Sequence, residues 1–130
     1  MIDSLTFRKV RETAATAPGL KLLIVFGSRA RGDEHDRSDW DFGFIGSATF
    51  DPDVLLASLV QAVGTDRVDL VNLSRAGALL RFRAADEGQL VYEAGHDEFS
   101  RYWLDAVSFW CDAEPIIHAG YDAVLAGLGP

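Results

Sequence analysis

The stretch Lys21-Leu22-Leu23-Ile24-Val25-Phe26-Gly27-Ser28-Arg29-Ala30-Arg31-Gly32, followed by Ser38-Asp39-Trp40-Asp41, decides how the chain is read. Lys21 to Phe26 is an apolar run of strand length. Gly27-Ser28 is a turn. Ser28 opens a short basic helix, about two turns long, that stops at Gly32. Asp33 to Arg37 is a charged loop, and Trp40 to Ile45 is a second strand. Side chains alternate along a strand, so Asp39 and Asp41 share one face while Trp40 turns to the core. Two carboxylates side by side repel unless a cation sits between them. Mg²⁺ meets that need, since it prefers oxygen ligands and commonly combines one or two carboxylates with substrate phosphates. The turn supplies a seat for phosphates. Gly27 lets backbone approach closely, the amides of the helix start point at the anion, and Arg29 and Arg31 add positive charge.

Gly27-Ser28, ten intervening residues and Asp39-Trp40-Asp41, after an apolar strand, resemble the signature of the nucleotidyltransferase superfamily that includes DNA polymerase beta. The length, and the segment Leu73 to Glu93, resemble more narrowly the minimal nucleotidyltransferases, the MntA-type antitoxins paired with HEPN toxins. The specific motif covers residues 27–41, and a looser likeness reaches to about residue 93. This resemblance implies a polymerase-beta-like nucleotidyltransferase fold, ATP as substrate, and two Mg²⁺ ions held by Asp39 and Asp41. It also implies a third carboxylate from a later strand. Asp69 matches by position, and a carboxylate inside the otherwise apolar strand Arg67 to Leu73 needs a reason. Asp69 would hold the nucleophile-side ion or take the hydroxyl proton. Asp66 competes for that role but reads as a turn residue. Gly27, Ser28, Arg29, Arg31 and Ser38 are the expected nucleotide-binding residues, with Arg31 where the family places a phosphate-binding arginine. Arg37 reads as a surface residue, with folding over the pyrophosphate as its alternative.

The reaction implied is attack of an acceptor hydroxyl on the α-phosphorus of a nucleoside triphosphate, with loss of pyrophosphate. The likeness to MntA-type proteins points to a tyrosine of a cognate HEPN-type RNase toxin, bound in a hetero-oligomer. Two other readings stay open. One is a non-catalytic antitoxin that acts by binding and occlusion. The other is a small-molecule transferase of the antibiotic-modifying kind, which the short chain disfavours.

At 130 residues, residues 1–130 read as a single minimal nucleotidyltransferase domain with one core. A hydrophobic content of 48% with 25% charged residues is that of a globular protein. The sequence shows no membrane-length apolar run and no signal-peptide pattern, so a cytoplasmic protein is expected. Cys111 is the single cysteine and reads as a small buried apolar residue. Twenty acids against twelve bases give a net charge of −8, which argues against gripping nucleic acid through its backbone. From Asp86 to Pro130 there are nine acids and one base, Arg101, an imbalance that invites a basic partner or simply aids solubility.

Helical and strand patterns alternate, so the fold class is α/β, and the resemblance makes it a small mixed β-sheet with helices packed over it. The expected elements begin with a helix from Asp3 to Ala17, capped by Asp3 or Ser4, with Leu5, Val10 and Ala14 roughly on one face. A second helix is capped by Asp51 with Pro52 at its first position, carries Val54, Leu55, Leu59 and Val63, and ends at Gly64. Another is capped by Ser74 and runs from Arg75 to about Asp86, with Leu79, Leu80 and Phe82 inward. A short strand follows at Leu90 to Tyr92. From about residue 97 a last helical segment, kinked or restarted at Pro115, is the expected partner-binding part. Phe99, Trp103, Val107 and Trp110 share a stripe on it, and with Tyr102 and Phe109 they exceed what one helix face buries. His35 reads as a solvated loop residue, and Gly127 to Pro130 as tail.

Overall fold

The apolar run becomes the inner strand that every other element packs around. In the computed structural model, which describes residues 2–32 and 38–125 with side chains as far as residue 113, the elements in chain order are α1 (Ser4–Ala15), β1 (Leu20–Phe26), α2 (Ser28–Arg31), β2 (Trp40–Gly46), α3 (Pro52–Val63), β3 (Val68–Asn72), α4 (Ala78–Glu87), β4 (Gln89–Glu93) and α5 (Glu98–Leu125). The sheet order is β3-β2-β1-β4. β1 pairs antiparallel with both β2 and β4, and β2 pairs parallel with β3, so the sheet is mixed as expected. Leu22, Leu23, Ile24 and Val25 are fully buried, because helices cover both faces of the strand they occupy. On one face Leu23, Val25, Trp40, Phe42 and Phe44 meet Val10 and Ala14 of α1 and Leu55 and Leu59 of α3. On the other, Leu22, Ile24 and Phe26 meet Ala84 and Ala85 of α4 and Tyr102 and Ala106 of α5.

Several local expectations hold. Asp3 caps α1 through Thr6, Asp51 caps α3 ahead of Pro52, and α3 ends on Gly64 in a left-handed conformation. Others need correction. α2 is a single turn rather than two, stopped by the left-handed Gly32. α4 starts at Ala78 after Gly77, not at Arg75 after Ser74. The Leu73 amide extends the sheet by donating to the Phe44 carbonyl, and Asn72 then accepts from the amides of Ser74 and Arg75, so this segment is a turn. Leu79, expected inward, is more than half exposed, as are Leu5, placed on one face with Val10 and Ala14, and Val54 of α3.

α5 docks on a face rotated from the expected stripe. Tyr102 and Ala106 are buried, Phe99 is partly buried beside them, and Trp110 stacks on Phe82 at 5.4 Å. The Tyr102 hydroxyl donates to the Arg81 carbonyl at 2.6 Å, tying α5 to α4, and burial pushes the phenol pKa up to about 12. In this orientation Trp103, Leu104 and Phe109 are left at 42–59% exposure. Pro115 lies inside α5, which continues as one helix and does not restart there. Cys111 is exposed rather than buried, because it too lies off the docked face. His35 and Arg37, and the tail from Gly127, lie outside the described residues.

Candidate active site

Three features of the sheet build the site. The first is the parallel register of β2 and β3, which sets Asp41 directly opposite Asp69. Neighbouring strands lie about 4.8 Å apart, so the two carboxylates leave one sheet face side by side. It is the face that α4 and α5 cover, since Asp41 also stands opposite Phe26 in the antiparallel register with β1. The second is Asp39, exposed, one residue ahead of β2. Trp40 between the two aspartates is buried on the opposite face, as its alternation requires.

The third feature is the turn after β1. Gly27 has φ 76° and ψ −158°, a conformation open essentially to glycine alone. A Cβ there would collide with Asp41 Oδ2, so the turn lies directly against the carboxylate. The amides of Ala30 and Arg31 bond back to the Gly27 carbonyl at 3.1 and 3.0 Å. Those of Ser28 and Arg29 open the helix, where no intrahelical acceptor exists. Arg29 donates to the Ser38 carbonyl at 2.9 Å and stacks over Trp40 at 4.6 Å, which anchors the backbone next to Asp39. Ser38 itself is buried. Arg31 pairs with Glu87 at 3.0 Å. Asp66 is exposed and sits in the turn before β3, where its carbonyl accepts from the Val68 amide.

The neighbouring carboxylates act on Asp41. Asp41's pKa is raised, by burial first and then by the negative charges of Asp69 and Asp39. Arg31 and Arg83 pull it the other way. A folded pKa above the unfolded one means that Asp41 adds stability only while protonated. That contribution is present below its ordinary value of 3.8 and is lost as pH rises through the raised one. In EDTA at neutral pH, Asp41→Asn is therefore expected to melt a few degrees above wild type, with the gap closing as pH falls toward about 4. Thermal melts across that range check it, and a variant that melts lower at neutral pH contradicts the geometry.

No group of three or more His, Cys, Asp or Glu among the described residues closes into a ready-made metal cage. The donor set nonetheless fits Mg²⁺. It is all oxygen, its central carboxylate is held against two like charges, and Mg²⁺ usually completes its shell with water and substrate phosphate.

Arg83 and Glu87 escaped the sequence reading. The spacing of four residues marks a helical ion pair, seen here at 3.8 Å. Nothing in that spacing tells that α4 ends beside Gly27. The placement follows from β4 running antiparallel to β1, with Gln89 opposite Val25.

A mixed sheet that sets two strand aspartates in register behind a glycine turn and a one-turn helix defines a nucleotidyltransferase. Residues 8–97 match the polymerase beta nucleotidyltransferase family, and the chain belongs to it. The protein adenylyltransferase MntA of Aphanizomenon flos-aquae (strain 2012/KM1/D3) is 31% identical over 98 residues, covering 65% of this chain and 65% of that protein. A crystal structure of a toxin–antitoxin with AMP-PNP superposes with a TM-score of 0.77 at 24% identity, covering 92% of this chain and 98% of the matched one. A structure of a tri-AMPylated Shewanella oneidensis HEPN toxin in complex with MNT antitoxin does so with a TM-score of 0.74 at 22% identity, covering 95% and 99%. These two structural matches bear on the fold, which they extend beyond the family match into the region of α5.

Proposed function

We propose that this chain is a Mg²⁺-dependent protein adenylyltransferase of the antitoxin kind. It transfers AMP from ATP to a tyrosine hydroxyl of a cognate HEPN-type RNase toxin, with which it forms a hetero-oligomer in the cytoplasm. The observation that carries this is the register of Asp41 with Asp69 beside Gly27. In support, the MntA relative is a protein adenylyltransferase, and the structurally similar complex contains an AMPylated HEPN toxin with its MNT antitoxin.

Asp39 and Asp41 are the residues to hold two Mg²⁺ ions. When bound, such ions lower the pKa of an attacking hydroxyl and neutralise charge on the phosphates. Asp69 would hold the ion on the nucleophile side or accept the hydroxyl proton. The tyrosine oxygen bonds to the α-phosphorus, the bond to the bridging oxygen breaks, and pyrophosphate leaves. Gly27 and Ser28 seat the phosphates on backbone amides, and Arg31 adds charge there. Arg29 and Ser38 hold the loop end that carries Asp39.

Residues 1–130 act as one nucleotidyltransferase domain, and the segment from about residue 97 carries the partner surface. Trp103, Leu104 and Phe109 are exposed there, in a stretch with a single basic residue, Arg101. No helix among the described residues is long and apolar enough to cross a membrane, and the net charge of −8 disfavours direct binding to nucleic acid. Calorimetry with ATP tests the site. ATP is expected to bind with Mg²⁺ and to lose at least about tenfold in affinity in EDTA. Equal affinity in EDTA removes the metal-site assignment. The exposed apolar residues of α5 also favour a second reading, neutralisation by occlusion, in which a variant lacking Asp39 and Asp41 still silences the toxin.

A further inference from the structure

Two arginines meet one glutamate beside the glycine turn. Arg31, the last residue of α2, places Nη1 3.0 Å from Glu87 Oε2. Arg83, one turn before Glu87 on α4, places Nε 3.8 Å from the other oxygen, Oε1. The backbone fixes where this bridge stands. Gly88 follows Glu87 so closely packed that a Cβ there would strike the Ala84 carbonyl and Ile24 Cγ2. Gln89 then pairs with Val25, two residues before Gly27. The end of α4 is thereby held against the end of β1, where Gly27 touches Asp41. Both guanidinium groups act electrostatically on the Asp41 carboxyl.

One carboxylate is shared by two guanidinium groups here, next to three aspartates. All three side chains are partly exposed, at 39%, 51% and 25% for Arg31, Arg83 and Glu87, and such ion pairs are weak. A polyphosphate carries more charge than a carboxylate and accepts paired hydrogen bonds from each guanidinium.

Resting on the nucleotide reading above, we propose that Glu87 is a stand-in for the distal phosphates of ATP. Without nucleotide it gathers Arg31 and Arg83 beside Gly27. When ATP binds, its β- and γ-phosphates take over both guanidinium groups, and Glu87 is released toward solvent. Arg83 is thus a phosphate-binding residue contributed by α4, and it makes the site favour triphosphates over monophosphates.

Calorimetry with Mg²⁺, titrating ATP and separately AMP into wild type, Arg83→Gln, Glu87→Gln and Asp86→Asn, tests this. Arg83→Gln is expected to weaken ATP about tenfold while AMP stays within about twofold. Glu87→Gln is expected to tighten ATP about threefold, because the competing anion is gone. Asp86→Asn removes the same charge from the exposed neighbouring position and is expected to leave ATP unchanged. ATP binding by Arg83→Gln that matches wild type overturns the proposal, as does weaker ATP binding by Glu87→Gln. Equal tightening by Asp86→Asn overturns it too, since net charge would then explain the effect. A wild-type chain that binds no ATP defeats the nucleotide reading itself, which separates the two failures. Melting curves confirm that each variant is folded, and Arg83→Lys, expected to be intermediate for ATP, replaces Arg83→Gln if that variant has melted.

Discussion

Asp41→Ala is expected to cut AMP transfer on the order of a thousandfold or more, with Asp39→Ala and Asp69→Ala close behind. Asp41 stands opposite Asp69 in the sheet and against Gly27, so it is the carboxylate common to the strand pair and the turn. Phosphoryl-type transfer asks a protein mainly to position groups and to neutralise developing charge, and no other described acid raises the Asp41 pKa. Labelled AMP transfer measures the effect. The metal-free melting temperature separates lost chemistry from lost fold, since removing a mutually repelling carboxylate does not destabilise the empty site. Near wild-type transfer by the Asp69 variant would move the third role elsewhere. Asp66, at the turn into β3, would be the next residue to replace.

The second large effect is expected at Gly27. Alanine there meets two separate penalties. Its backbone must hold φ 76° and ψ −158°, which costs about 1–3 kcal/mol for a residue with a side chain. Its Cβ must also displace the Asp41 carboxylate. Gly27→Ala is therefore expected to lower the melting temperature by about 4 °C per kcal/mol lost. In the fraction that remains folded, transfer should fall about a hundredfold. Denaturation paired with transfer assays at a temperature where the variant is folded checks both. A variant with normal transfer per folded molecule would show that the turn does not set the position of Asp41.

Much of this was readable from residues 21–41. The five-residue apolar run Leu22 to Phe26 predicts an inner strand because only a strand covered on both faces needs no polar alternation. Asp-Trp-Asp predicts its own geometry from the period of two, and the buried Trp40 bears that out. Caps at Asp3 and Asp51 are local hydrogen bonds and were equally legible. What stayed hidden depends on pairing between distant segments. Whether Asp69 faces Asp41 is a matter of register, and a slip of one residue would turn it to the other face. Arg83 and Glu87 reach the site only because β4 returns alongside β1. The docked face of α5 is defined by contacts with distant α4, among them the bond from Tyr102 to the Arg81 carbonyl, which no periodicity reveals. Ser74 has the chemistry of a helix cap, yet Asn72 captures its amide first and the helix waits until Ala78.

The claim at the centre is that Asp39, Asp41 and Asp69 form a centre that moves AMP onto a protein tyrosine. Mass spectrometry of the proposed cognate HEPN-type toxin, after incubation with the chain and Mg-ATP, tests it most directly. The toxin is expected to gain the mass of AMP on a tyrosine and to lose RNase activity, and to stay unmodified with the Asp41→Ala chain. A toxin that remains unmodified by wild type, yet is silenced equally well by the Asp39→Ala, Asp41→Ala double variant, would contradict the account and leave binding alone as the means of neutralisation.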